Sequence, residues 1–509
     1  MLTKTYSGLI DGINGIIITI EADVSKGMPN FNLIGLADTS VKESKDRIRT
    51  ALNNSNFKFP SAKITLNLSP ASIKKEGASL DLASAVAILN SDGIIKNSNI
   101  EKIFFIGELQ LSGEVKGVEG VLPLIIAAKE NGFEYAYIPY SNRNEAAIVN
   151  DIKIIPVNTL FECVQFLNGE IPLKIYERDI TRDIDFKYDY DFCEVVGQHT
   201  AKRGLEIAAA GGHNILMIGP PGTGKTMLAK TLPSILPEMS FEEAFETAKI
   251  HSAAGMYNTD EMQIFKRPFR SPHHTVSNVT LIGGGVNARP GEVSLAHNGV
   301  LFLDEFPEFK RTALETLRQP LEDGIVTVSR IKAVYTYPSK FILVATMNPC
   351  PCGNLNNPDK ECKCSHYAIE KYLSKLSGPL LDRIDMHIEV LPVEKKELLK
   401  SKRNSETSKD IRERVKKARA VQYKRFKNSG IYCNANMTKK QLLKFCNLTE
   451  AQNELLANII EKYNLSIRSR DKIVKLSRTI ADLDNCEDIK EEHILEAVSY
   501  RVLDKNKWY

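Results

Sequence analysis

No stretch of 18 uninterrupted apolar residues occurs in the 509-residue sequence, so no membrane-spanning helix is expected. The first residues, MLTKTYSGLIDGINGIIITIEADV, lack the ordered basic, apolar and small-residue segments of a signal peptide, and a cytoplasmic location is the expectation. Net charge is slight. Lys and Arg number 67 against 63 Asp and Glu, and the resulting +4 is too weak to argue for nucleic acid by itself. Nine cysteines in 509 residues do not make a disulfide scaffold. Internal repeats and low-complexity segments are also lacking. What remains is ordinary globular material, 43% hydrophobic and 26% charged, which excludes a disordered or fibrous chain. At about 150 residues per domain, three to four units are expected.

Residues 1–170 read as one α/β unit. Gly15–Ile20, Ile64–Leu68, Ile103–Leu109 and Ala136–Pro139 have strand character, and Leu80–Leu89 and Val121–Lys129 read as buried helices. Asp38–Asn53 reads as a helix capped by Asp38. It carries Val41, Ile48 and Leu52 on one face and a Glu43/Arg47 pair four residues apart. Residues 171–194 are charged and aperiodic, and read as a linker. Residues 195–393 alternate β-branched runs with helical segments, the pattern of a parallel sheet covered by helices. Residues 394–509 are helical in pattern, with little Gly.

The chemistry concentrates in the central segment. Asn214–Ile218 is a short apolar strand, followed at once by GPPGTGKT (219–226) and a helix start, the context a phosphate-binding loop requires. In the ATP-binding stretch Gly219, Pro220, Pro221, Gly222, Thr223 and Gly224, the three glycines let the backbone N–H groups, which the two prolines lack, turn inward around the phosphates. Lys225 brings a cation to the β and γ phosphates, and Thr226 a hydroxyl to Mg²⁺. A second strand, Val300–Leu303, ends in Asp304 and Glu305, suited to a Mg²⁺-linked Asp and a Glu that polarises the attacking water. A third, Phe341–Thr346, leads to Asn348, a polar residue able to reach the γ phosphate or hold the water. Arg383, just after a Gly-Pro break, either faces a neighbouring subunit's nucleotide or forms an ion pair within Asp382–Arg383–Asp385.

These motifs, with GPLLDRID and the late LSIRSRDKIVKLSRTIADL, resemble an AAA+ ATPase. The longer wording in KRPFRSPHHTVSNVTLIGGG (266–285), RPGEVSLAHNGVLFLDEFPEF (289–309), LRQPLEDG (317–324) and ATMNPCPCG (345–353) is similar to the magnesium-chelatase-like AAA+ proteins, specifically the YifB/ComM branch. The resemblance covers nearly the whole chain. It implies that Asn348 is sensor 1, Arg383 an arginine finger acting in trans, Arg468 a nucleotide-contacting sensor 2, and the assembly a homo-hexameric ring. Lys472 departs from the pattern, which usually has a second Arg four positions after Arg468. The expected fold class is α/β: a Lon-protease-like (ribosomal S5 domain 2-like) N-terminal domain, a central AAA+ P-loop domain and a C-terminal helical lid. Residues 29–52 and 67–83 carry the Lon-like part of the resemblance. Gly77-Ala78-Ser79 stands where Lon has its Gly-Pro-Ser turn, and the position of the partner lysine falls at about Leu122. Leu122 cannot activate Ser79, and Lys116 lies on the wrong side of the turn, so the domain reads as non-proteolytic.

Two further features stand apart. Cys350, Cys352, Cys362 and Cys364 form a CxC…CxC pattern within 15 residues, suited to tetrahedral structural Zn²⁺, with His366 as a substitute ligand and free thiols as the alternative. His273 and His274 have no carboxylate or cysteine at ligand spacing and read as loop residues near the ring interface or pore, with a metal site as the alternative. Between Lys402 and Lys427, eleven Lys or Arg meet three Asp or Glu. Ile411, Val415 and Phe426 mark a buried stripe with the basic residues facing out, either a solvated face or a DNA-backbone contact. RIKAVYTYPSK (330–340) is a second DNA-contacting candidate, a pore loop with Tyr335 and Tyr337.

The expected cofactors are ATP and Mg²⁺, with structural Zn²⁺ at the cysteines. The ComM-like resemblance implies a DNA-acting, branch-migrating helicase that supports natural transformation. A magnesium-chelatase motor subunit and an ATP-dependent protease regulator are the alternatives.

Overall fold

The computed structural model describes residues 2–36, 38–97, 99–178, 186, 188–257, 264–285, 288–329, 334–355, 357, 360–393, 406–427, 429–463 and 465–501. The chain divides into two compact units, residues 1–185 with 241–264, and residues 186–240 with 265–509. Residues 241–264, which the sequence pattern leaves inside the 195–393 segment, therefore belong with the first unit. The helix Phe241–Ala253 packs there against the helix Val121–Glu130.

The first unit is built on a seven-stranded mixed sheet. Its order is Asn30–Ile34, Lys63–Ser69, Asn14–Ser25, Thr3–Asp11, Ile103–Phe105, Tyr135–Pro139, Lys153–Val157. Ile18, Ile20, Ala22, Leu66 and Leu68 alternate along their strands onto one buried face. The helix Thr39–Asn54 covers that core with Val41, Ile48 and Leu52, and Asp38 caps it by accepting from the N–H of Val41 at 2.9 Å. The expected Glu43/Arg47 pair is corrected. Arg47 reaches instead to Asp81, 2.9 Å away at the start of the helix Asp81–Ser91. Burial raises the Asp81 carboxyl to about 6 even with the guanidinium beside it.

The strand expected over Ile103–Leu109 is broken into Ile103–Phe105 and Glu108–Leu109. A Cβ at the intervening Gly107 would stand 2.6 Å from Val115, so the backbone there passes against its neighbour and leaves the sheet. The linker is shorter than 171–194. Tyr176 bridges to Ile154 through its N–H, and Phe192 is buried in the second unit. Residues 179–185 and 187 lie outside the described residues.

The second unit has a five-stranded, all-parallel sheet ordered Phe269–Arg270, Val300–Leu303, Ile342–Met347, Ile215–Ile218, Met386–Glu389. The strands are short apolar runs buried on both faces, as a helix-covered parallel sheet demands. Helices Ser408–Arg425, Lys439–Phe445, Glu450–Lys462, Ile467–Leu483 and Glu491–Ser499 form the C-terminal part. The first three begin with capping boxes, Thr407/Asp410, Thr438/Gln441 and Thr449/Gln452. The 394 boundary falls on residues outside the described ones. No helix among the described residues is long and apolar enough to cross a membrane.

The basic helix also differs from expectation. Ile411, Val415 and Phe426 are buried as expected. Many of its cations, however, turn inward. Arg414 pairs with Glu206 and Glu406, Lys416 with Glu238, and Arg425 with the fully buried Asp482, while Arg412 and Arg419 donate to the Ser234 and Ala209 carbonyls. Lys409, Lys417, Lys424 and Lys427 are exposed, and residues 402–405 lie outside the described ones. Several of these cations thus fasten the helix to its neighbours, while the exposed lysines keep part of the segment's surplus charge on the surface.

Candidate functional site

The parallel strands deliver their chemistry at one edge, just past their C-terminal ends. Strand Ile215–Ile218 runs into the loop Gly219–Thr226, whose glycines serve different needs. Gly222 and Gly224 adopt φ of +81° and +86°, the left-handed region, with open space around them. Gly219 is instead a close approach, since a Cβ there would stand 2.0 Å from the Val390 carbonyl oxygen. Helix Lys225–Ile235 then points its N-terminus into the loop. The buried Lys225 ammonium donates to the Gly219 and Pro220 carbonyls at 2.7 and 2.8 Å, and reaches Asn348 Oδ1 at 3.4 Å. Burial lowers it to about 8, with Asp304 pulling the other way.

Thr226 Oγ1 donates to Asp304 Oδ2 at 2.9 Å, which places two hard oxygen donors side by side, a fit for Mg²⁺. The other Asp304 oxygen accepts from the hydroxyl of Thr346, which itself accepts from the N–H of Glu305 at 3.3 Å. Glu305 sits in the left-handed region at φ +53°, a strained setting for a side chain of that size. Its carboxylate stands 3.4 Å from His274 Nδ1, so His274 does have an acidic partner, contrary to the reading from spacing. His274 also packs on His273 and Phe309. Lys225, Thr226, Asp304, Glu305 and Asn348 are thereby gathered into one site.

Arg383 and Arg468 are not part of that cluster. Asp385 and Met386 bond to Asn214, where the strands begin, so Arg383 lies at the sheet edge opposite to the phosphate loop. From Asn214 to Gly219 is five residues of extended chain, about 16 Å. The expected partners of Arg383, Asp382 and Asp385, are replaced by Glu322, with a further bond to the Pro379 carbonyl at 2.7 Å. Arg468 lies exposed on the first turn of the helix Ile467–Leu483, and its field also reaches Glu322. Lys472, the departure from the family pattern, anchors that same helix, to the Ile384 carbonyl at 2.9 Å and to Asp385 at 3.1 Å. Burial would raise the Asp385 carboxyl, but Lys472, His213 and the Asn214 N–H together hold it well below the usual range.

The four cysteines converge. Sγ–Sγ separations are 3.4 Å for Cys350–Cys352, 3.6 Å for Cys350–Cys362 and 3.7 Å for Cys352–Cys362, and all four sulfurs lie within 4.8 Å of one another. Tetrahedral Zn–S bonds of about 2.3 Å put sulfurs about 3.8 Å apart. The Asn354 backbone brings the Cys352 thiol down to about 6, while the Cys350, Cys362 and Cys364 thiols are held above the usual value. The residues fit a soft metal ion. His366, the expected substitute ligand, faces Glu370 instead.

Thr346, His274 and Glu322 carry roles that the sequence pattern does not reveal. Thr346 had a faint signal, a hydroxyl inside an otherwise apolar strand. The others depend on strand order. In the first unit, Leu122 is buried and donates its N–H to Glu145. Lys75, buried near Ser79 in sequence, donates to the Pro70 carbonyl, and among the described residues no hydrogen bond joins Ser79 to a lysine.

Three family models match the chain: magnesium chelatase, subunit ChlI, over residues 191–398; subunit ChlI of Mg-chelatase over 20–142; and the ChlI C-terminal model over 405–501. The competence protein ComM of Haemophilus influenzae is 42% identical over 506 residues, 99% of this chain and 98% of that protein. YifB of Escherichia coli is 40% identical over 495 residues, 97% of this chain and 96% of that protein. Lon protease 2 of Bacillus subtilis is 28% identical over 178 residues, 30% of this chain and 32% of that protein.

Proposed function

The chain belongs to the magnesium-chelatase-like YifB/ComM family of AAA+ proteins, and on that footing we propose that it is an ATP-hydrolysing hexameric motor that migrates branched DNA. The observation that carries the ATPase reading is the gathering of Lys225, Thr226, Asp304 and Asn348 by hydrogen bonds around one glycine loop. Bound ATP would take over the Lys225 ammonium from the Gly219 and Pro220 carbonyls. Thr226 and Asp304 would hold Mg²⁺, which draws charge from the β and γ phosphates. Glu305, steadied by His274, would orient the attacking water, and Asn348 would meet the γ phosphate.

Arg383 and Arg468 sit at the far edge of the sheet from their own subunit's loop. Both are therefore read as serving a neighbour's nucleotide, which makes Arg468 a trans rather than a cis contact and makes the ring obligatory for turnover. A finger of this kind contributes roughly 10³–10⁵ in rate. The helices that bear Arg468 are tied to the sheet through Lys472 and Asp385, so hydrolysis at one seam is passed to the next subunit as movement.

DNA contact is assigned to the exposed Lys409, Lys417, Lys424 and Lys427 and to the hairpin Ile325–Ser329/Val334–Pro338, whose tip, residues 330–333, lies outside the described ones. The cysteine quartet is assigned to one structural Zn²⁺. The test is ATPase rate with and without single-stranded and branched DNA, followed by a branch-migration assay across a salt series. DNA stimulation that declines steeply with salt supports phosphate-dominated contact. Failure to bind nucleotide, or full-rate hydrolysis by a monomeric Arg383→Ala chain, overturns the proposal. Stimulation by porphyrin and Mg²⁺ rather than DNA restores the chelatase reading.

A further inference from the structure

Asn348 is approached from two sides, and both approaches lead to the cysteines. On its own strand exit, Pro349 and Cys350 follow it directly, and the Gly353 N–H closes the turn onto the Cys350 carbonyl at 3.0 Å. From the other side, Cys364 runs straight into the Ser365-capped helix His366–Leu373, whose buried Tyr372 lies near the backbone of Asn348. One ion bonded to all four sulfurs would close this path into a ring: Asn348, Cys350, metal, Cys364, Tyr372 and back to Asn348.

The ring also touches the phosphate loop. Gly353 adopts φ +77°, and a Cβ on it would stand 2.6 Å from Pro221 Cδ and 3.8 Å from Asn348 Cγ. The knuckle backbone therefore lies against Pro221, while Asn348 Oδ1 stands 3.4 Å from Lys225 Nζ. Without a metal, four sulfurs within 4.8 Å of one another have little to keep them together, because neutral thiols bond weakly and neighbouring thiolates repel. The clamp on Asn348 then loosens at Cys350 and at Cys364 together.

We propose that Zn²⁺ at Cys350, Cys352, Cys362 and Cys364 is a clasp on the nucleotide site, so that metal occupancy and nucleotide occupancy strengthen one another. The inference rests on the reading that the glycine loop binds ATP. Coupling between two binding sites is reciprocal and commonly amounts to 5–150-fold. Nucleotide should therefore slow zinc loss by the factor by which zinc tightens nucleotide.

The experiment uses the full chain loaded with Zn²⁺. Zinc release to a metallochromic chelator is timed with and without Mg²⁺ and a non-hydrolysable ATP analogue, and analogue affinity is compared before and after zinc removal. One zinc per chain, release slowed at least about fivefold by the analogue, and affinity weakened by a similar factor on removal support the clasp. Gly353→Ala, which drives a Cβ into Pro221, should keep one zinc per chain while the nucleotide effect falls below twofold. A chain that takes up no zinc, or that releases it at one rate in both conditions, overturns the clasp. A coupled chain that hydrolyses no ATP overturns the motor reading and supports the clasp. A chain that binds no nucleotide overturns both.

Discussion

Replacing Thr346 by Val would test whether one buried hydroxyl aligns the two acidic residues of the site. Thr346 is fully buried, and its Oγ1 donates to Asp304 while accepting from the Glu305 N–H at 3.3 Å. Valine keeps the branched shape on the strand and removes only the hydroxyl. A hydrogen bond to a charged group contributes about 1.5–3 kcal/mol. The Glu305 N–H retains Asp304 Oδ1 at 3.1 Å, and Asp304 retains Thr226, so the loss falls on alignment more than on folding. If that energy is needed at the transition state, kcat for ATP hydrolysis falls about 10- to 100-fold, at 1.36 kcal/mol per decade. Nucleotide affinity should change less than about threefold, because Lys225 and the glycine loop are untouched. Steady-state ATPase assays with fluorescent-nucleotide titration separate the two quantities. Thr346→Ser, which restores the hydroxyl, should recover most of the rate. A kcat for Thr346→Val within twofold of wild type would refute the assignment.

Other consequences follow from the same geometry. Glu305→Gln should bind ATP normally and fail to turn it over, which radiolabelled nucleotide retention and phosphate release would show together; hydrolysis at the wild-type rate removes Glu305 from its role. Lys225 is lowered to about 8 by burial, and bound phosphate stabilises the ammonium, so binding should take up a proton at pH 9 and affinity should weaken as pH rises past about 8. Calorimetry at pH 9 in two buffers of different ionisation enthalpy measures the uptake, and identical heats would contradict it. Asp482 is wholly buried between Arg425, Arg478 and Asn434. Asp482→Asn leaves two buried guanidinium groups without their carboxylate, a loss of about 3–5 kcal/mol, visible as a drop of several degrees in the melting temperature.

Much of the protein was readable along the chain because its signals are local. The phosphate loop is eight consecutive residues between a strand and a helix, and Gly222 and Gly224 are required by backbone angles that arise within the loop itself. Asp38 caps its helix and the Thr-x-x-Asp/Gln boxes cap theirs through bonds three residues long. Four cysteines within 15 residues can meet around one ion whatever the rest of the fold does. Apolar runs as short as Ile215–Ile218 and Val300–Leu303 already require a sheet covered on both faces.

Strand order and packing settled the rest. His274 meets Glu305 because strand Phe269–Arg270 lies beside Val300–Leu303, a neighbour relation that spacing along the chain does not contain. Arg47 turns from Glu43 to Asp81, and the cations of Ser408–Arg425 turn to Glu206, Glu238 and Asp482, because partly buried charges seek buried acids over exposed ones. Arg383 and Arg468 are adjacent to Glu322 rather than to Lys225, since parallel strands place everything at their starts on one edge and everything at their ends on the other. The sequence by itself thus determined which groups are present and how each local segment bends. Which groups stand face to face was decided only by the tertiary structure, because those pairings span tens to hundreds of residues and are selected by the packing of the whole sheet domain.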